Sequence, residues 1–153
     1  PILAIGKIGE KIDVSTYSHV AGQNVVTYIH PGARVGVAVA FDGASGDVEN
    51  VGKDVAMQIA AMSPVAIDKD GVAQDLIDKE IEIGMEQARS QGKPEAILEK
   101  IARGKLNKYF REHTLLNQDF VKDTSKNVGA YIKETLGGDT KVVAFERVQL
   151  GAN

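Results

Sequence analysis

Residues 48–64, VENVGKDVAMQIAAMSP, constrain the fold more than any other stretch of this chain. Apolar side chains recur at Val48, Val51, Val55, Ile59 and Met62, at helical steps of three and four, and Ala56 and Ala60 widen the stripe. A stripe this broad belongs to a helix laid against a sheet, not to one lying free in solvent. Asp47 is placed to cap its N-terminus, accepting from unpaired amides at the positive end of the helix dipole. Ser63 precedes Pro64, and a residue before proline is pushed out of helical geometry, so the helix stops there. Burying five such side chains contributes roughly 8–15 kcal/mol before the entropy of ordering is subtracted. Gly52, inside the stripe, costs about 1 kcal/mol against alanine and is consistent with a close backbone approach.

The sheet must come from the neighbours. Residues 11–41 read as three strands: Ile12, Val14 and Thr16 alternating, then Val25 to Ile29, then 35–41 (VGVAVAF). Ala21-Gly22-Gln23-Asn24 and His30-Pro31-Gly32-Ala33 are the turns between them, so these neighbours run antiparallel. The last of the three is almost wholly apolar, as expected for a central strand covered on both faces. Residues 1–10 start apolar and read as a short helix end or lead-in, and their glycines match neither GxxxxGK[ST] nor GxGxxG. At the other end, residues 140–150 alternate cleanly as a closing strand added antiparallel to the sheet.

Between these lie two helical segments, 72–91 and 95–109, joined at Gly92-Lys93-Pro94. Glycine after one helix and proline at the start of the next is the expected punctuation. Ile77, Ile81, Gly84 and Ala88, with Leu76 and Ile83, face Ile97, Leu98, Ile101 and Ala102, followed by Leu106, Tyr109 and Phe110; the outer faces are crowded with charge. Narrow seams with charged flanks predict an antiparallel hairpin that touches itself more than the core. Residues 111–124 read as irregular, and 125–136 as a third helix capped by Ser125 and ended by Gly137-Gly138. The fold class is therefore α+β: an antiparallel sheet of three to four strands, covered by helices on one face, with a protruding helical hairpin. The chain reads as one domain over 1–153, with the hairpin inserted at about 72–110.

Chemistry is harder to find. Residues 66–71 (AIDKDG) resemble a calcium loop only superficially, because the first and last ligand positions fall on Ala66 and Ile77. The three histidines, His19, His30 and His113, show no HExxH or other helical metal spacing, and there is no GxSxG elbow. The chain has no cysteine, which excludes disulfides, thiolate metal sites and cysteine nucleophiles and suits a reducing compartment. A formal charge of −3 with scattered cations, no tryptophan and few aromatics leaves neither a nucleic-acid footprint nor a stacking platform. No apolar run approaches the roughly 20 residues of a membrane span. No catalytic, cofactor-binding or metal site is read. What stands out is His30, in an exposed Pro-Gly turn beside Arg34 on a rigid sheet, where recognition residues are often carried.

Three stretches resemble bacterial translation elongation factor Ts: Tyr28-Ile29-His30-Pro31-Gly32-Ala33-Arg34-Val35-Gly36-Val37, the helix from Asp54 to Pro64, and Ser90-Gln91-Gly92-Lys93-Pro94 followed by Ile97-Leu98-Glu99-Lys100-Ile101. Phe120-Val121 through Ser125-Lys126-Asn127-Val128-Gly129 fits the family's order as well. The resemblance implies the second core half and coiled-coil arm of a cytoplasmic guanine-nucleotide exchange factor for elongation factor Tu. Such a factor displaces Mg²⁺ and GDP and performs no bond chemistry. His30, Pro31, Gly32 and Arg34 are then expected to touch the GTPase, with Gly92, Lys93 and Pro94 at the tip of the arm. The family's N-terminal module and first core half, with its Thr-Asp-Phe-Val wedge, have no counterpart in these residues. Gln118-Asp119-Phe120-Val121 mimics that string at a different place, and the wedge role does not transfer to it. The chain is expected to be a C-terminal fragment that binds the GTPase but exchanges poorly alone. Two readings compete: a small α+β enzyme using His30, Arg34 and a carboxylate in a cleft, and a dimerisation domain, since the family pairs such core halves into homodimers.

Overall fold

A computed structural model describes residues 20–32 and 34–149. The lead-in at 1–10, the strand expected at 11–16, His19 and Ala33 lie outside the described residues. In chain order the elements are β1 (Asn24–His30), β2 (Val35–Asp42), α1 (Val48–Met62), α2 (Gln74–Ser90), α3 (Leu98–His113), β3 (Asp119–Phe120), β4 (Asp123–Asn127), α4 (Val128–Leu136) and β5 (Lys141–Gln149). Among the described residues the main sheet is antiparallel with the order β1-β2-β5, and β3 and β4 make a separate two-stranded ribbon. The fold is α+β.

The run VGVAVAF is continuous because β2 is central and buried on both sides. Val35, Val37, Val39 and Phe41 face the main core with Val51, Val55 and Ile59 of α1. Ala38 and Ala40 point the other way, into a smaller cluster with Val20, Val25, Ala144 and Val148. Alternation in β5 breaks at a bulge: Ala40 pairs with Ala144 but Phe41 pairs with Val142. The extra residue, Val143, is exposed, and both Val142 and Phe145 reach the α1 side. The clean period of two expected over 140–150 is therefore interrupted, as a bulge requires.

Helix α1 is capped as its sequence dictates. The Asp47 side chain accepts from the Asn50 amide at 3.2 Å. Ser63 ends the helix in the left-handed region, φ 48°, with its own amide bonded to the Ile59 carbonyl. Arg147 of β5 donates through Nε and Nη2 to the Ala60 carbonyl at 3.2 and 3.0 Å, placing a cation at the negative end of the helix. Met62, expected in the buried stripe, is 45% exposed. Gln58 takes the place in the core instead and is fully buried.

The hairpin forms as expected over most of its length. Gly84 and Ala88 of α2 meet Leu98, Ala102 and Leu106 of α3, all buried. Ile83 and Ile97, assigned to the seam by sequence, are each 40% exposed. The second arm also runs on to His113, where Thr114 closes it by donating to the Phe110 carbonyl at 2.6 Å. The polar residues Arg111, Glu112 and His113 carry no stripe to mark that extension. At its base the hairpin is laced to the segment after α1: Val65 N to His113 O, Leu115 N to Ala66 O, and Leu116 N to Ile67 O, all at 2.8–3.0 Å.

The segment read as irregular contains the β3–β4 ribbon. Ser125 lies in β4, and the cap of α4 is Asn127, whose side chain accepts from the Ala130 amide at 2.8 Å. Phe120 stacks on Tyr131 with centroids 4.1 Å apart. The Tyr131 hydroxyl donates to Asp54 at 2.6 Å, and Lys122 pairs with the same carboxylate at 2.8 Å. Burial, reinforced by the Asp54 carboxylate, pushes the Tyr131 phenol well above its ordinary value, so it stays a donor.

Candidate partner-binding site

The β1–β2 turn is built by residues that each solve a local problem. β1 and β2 pair down to His30 opposite Val35, which leaves only four residues to reverse the chain. Pro31 fixes one φ, and Gly32 takes φ 80° at no steric cost. Arg34 adopts φ 54°, a left-handed conformation that costs a non-glycine residue about 1–3 kcal/mol. Such strain persists where a turn is held for what its side chains present. Pro31, Gly32 and Arg34 are exposed and His30 is half-buried.

Sequence reasoning missed the residue that orients His30. Tyr28 sits two residues back, on the same face of β1, with its ring packed against the main core. Its hydroxyl lies 3.0 Å from His30 Nδ1. With the phenol donating, Nδ1 is the acceptor and Nε2 keeps its proton as an outward donor. The signal was an aromatic hydroxyl at period-two spacing from the histidine.

Ile29, His30, Pro31, Gly32 and Arg34 line an open, shallow depression of about 260 Å³. Among the described residues no carboxylate lines it. Among the described residues no three His, Cys, Asp or Glu side chains converge to hold a metal ion. None of the described helices is long and apolar enough to cross a membrane.

Gly92, Lys93 and Pro94 sit apart from this turn, at the tip of the hairpin, and all three are exposed. Gly92 takes φ 82° and the Lys93 amide donates back to the Ala88 carbonyl at 3.1 Å, closing α2. Arg89 locks the tip by pairing with Glu95 at 2.9 Å and Glu86 at 2.7 Å. Its hydrogen bond and charge hold the Glu95 carboxyl below the ordinary carboxylate range. Among the described residues Lys93 enters none of these pairs.

The family profile described as Elongation factor TS matches residues 2–152. The chain belongs to the elongation factor Ts family. It is 53% identical over 146 residues to elongation factor Ts of Cytophaga hutchinsonii, covering 95% of this chain and 52% of that protein. It is 52% identical over 149 residues to the Amoebophilus asiaticus protein of the same name, covering 97% and 53%. The Hydrogenobaculum counterpart is 46% identical over 148 residues, covering 97% and 52%. The chain thus spans about half the length of the elongation factor Ts relatives it matches.

Proposed function

We propose that this chain is the second core half and coiled-coil arm of a guanine-nucleotide exchange factor, acting in the cytoplasm during translation elongation. Its partner is elongation factor Tu, and it carries no catalytic residue of its own. The observation that supports this reading most strongly is family membership across nearly the whole chain. The strained, open turn at His30–Arg34 supports it too, because a surface that binds a protein is presented outward. Exchange by such a factor is differential binding: it must hold the nucleotide-free GTPase more tightly than the GDP form. A turn and an arm tip on separate elements suit that task, since each grips the partner without entering a nucleotide pocket.

The 153-residue chain retains part of the contact and accelerates nucleotide release little. Stopped-flow release of fluorescent GDP from elongation factor Tu, run beside a pull-down, tests both halves of the statement. Capture with little acceleration is expected. Failure to associate with the GTPase even when the amino-terminal half is supplied sinks the reading, and acceleration equal to that of the full-length factor refutes poor exchange alone. Within this reading Tyr28→Phe is expected to weaken capture about threefold, the scale of one lost orienting hydrogen bond, while the ring keeps its packing. Calorimetric titration against the GTPase checks the figure; an unchanged affinity would remove Tyr28 from the site.

A further inference from the structure

Residues 24–41, NVVTYIHPGARVGVAVAF, contain no acidic residue, although the chain carries a net charge of −3. The described elements packed around the β1–β2 turn supply none either. The last turns of α1, from Val55 to Ser63, hold no Asp or Glu. In β5, Gln149, Val148 and Arg147 pair with Val35, Gly36 and Val37 at the turn end of the sheet, and Arg147 is spent on the Ala60 carbonyl. Glu146 comes next, opposite Ala38, so its side chain lies on the sheet face away from Tyr28 and His30.

Two donors line the depression at this end. His30 Nε2 keeps its proton as an outward donor because the Tyr28 hydroxyl occupies Nδ1 at 3.0 Å. Arg34 is exposed and, among the described residues, has no hydrogen-bond or ion-pair partner. Its backbone stands at φ 54°, a conformation that glycine, asparagine or aspartate adopts at lower cost. On backbone grounds arginine is a poor residue for this turn, and its side chain bonds to nothing in the described fold. What it brings is a fork of donors with a fixed positive charge, a fork whose geometry matches a carboxylate.

We propose that Arg34 is the specificity residue of the turn: it pairs with a side-chain carboxylate on the GTPase, and His30 Nε2–H donates to the same group. This rests on the reading that the turn faces elongation factor Tu, and it adds the chemistry of the group received there. An exposed arginine–carboxylate pair at an interface acts mostly on encounter rate and salt dependence, while the oriented His30 donor fixes register.

The test is calorimetric titration of the 153-residue chain against elongation factor Tu, repeated as salt is raised. Arg34→Asn and Arg34→Asp are nearly equal in size and both tolerate the left-handed backbone, so they differ in charge. Both should unfold at a temperature no lower than the parent. Arg34→Asn should lose about tenfold in affinity together with most of the salt dependence, and Arg34→Asp about a hundredfold, because it sets two carboxylates against each other. His30→Gln, whose amide nitrogen reaches about as far as Nε2, should bind better than His30→Ala. Three results overturn the proposal while the parent chain still binds. Equal affinities of the Asn and Asp variants would mean that the charge at position 34 is not read. Equal affinities of His30→Gln and His30→Ala would remove the second donor. A loss seen with the GDP-bound GTPase and absent from the nucleotide-free form would make a nucleotide phosphate the group received. If the parent itself fails to bind with the amino-terminal half supplied, the functional reading has failed, and the role of Arg34 falls with it.

Discussion

Replacing Gln58 with leucine is expected to destabilise the fold by about 3 kcal/mol, far more than its size-matched apolar character suggests. Gln58 is fully buried on α1, and its amide is spent on three bonds. Nε2 donates to Gln118 Oε1 and to the Asp119 carbonyl, both at 3.1 Å, and Oε1 accepts from the Val121 amide at 2.9 Å. Gln118, itself buried, passes the link on by donating to the Glu112 carbonyl at 3.0 Å in the last turn of α3. Leucine would strand one backbone donor, one backbone acceptor and one side-chain oxygen. Each group left dry costs about 1–3 kcal/mol, reduced where the ribbon can open to water. Urea unfolding gives the magnitude through the shift in midpoint, and amide exchange over 119–127 should accelerate first. Adding Gln118→Leu to the first change should cost less than its effect alone, because one stranded oxygen then disappears. A loss under about 1 kcal/mol with unchanged exchange would show that these amides do not hold the ribbon and the base of the arm to α1.

That network also marks where the sequence stopped being readable. β2 announces itself because both of its faces are buried, so no polar residue interrupts Val35 to Phe41. The hairpin announces itself because Gly92 must take a positive φ and Pro94 cannot continue a helix. The β3–β4 ribbon has neither signal. Its strands are short, mostly exposed and polar, and they are held by Gln58, Asp54 and Tyr131 on other elements. Position 58 did lie at a stripe spacing, three after Val55, but a glutamine there reads as an edge residue until its partners are known. The cap of α4 moved from Ser125 to Asn127 for a related reason: both residues can cap, and β4 pairing through Asn127 decides between them. At the candidate site, Pro31 and Gly32 made the turn legible. The left-handed Arg34 was not, because nothing in an arginine asks for that backbone.

Gly52→Ala separates a glycine that holds the site in place from one that only brings two helices together. Alanine should gain about 1 kcal/mol of helix propensity at either Gly52 or Gly84. At Gly52 the new methyl would lie 2.8 Å from Val26 Cβ and 3.0 Å from its Cγ1, closer than carbon atoms approach. Val26 is 3% exposed and belongs to β1, the strand that ends in His30, so the helix must move off the strand that presents the turn. Overpacking of this kind costs roughly 1–3 kcal/mol or somewhat more, which outweighs the propensity gain and leaves a net loss of about 2 kcal/mol. At Gly84 the methyl meets Ala102 Cα and Cβ at 3.1 Å, a few tenths of an ångström too near, between arms whose main contacts are with each other. They can part slightly, so Gly84→Ala should stay within about 0.5 kcal/mol of the parent. Thermal unfolding of both variants checks the ranking, and GTPase capture adds the functional reading. Gly52→Ala should lose capture at temperatures where it is still folded, because β1 has shifted beneath His30, whereas Gly84→Ala should retain it. Equal stabilities, or a Gly52→Ala chain that captures the GTPase as well as the parent, would mean that the spacing between α1 and β1 does not set the geometry of the turn.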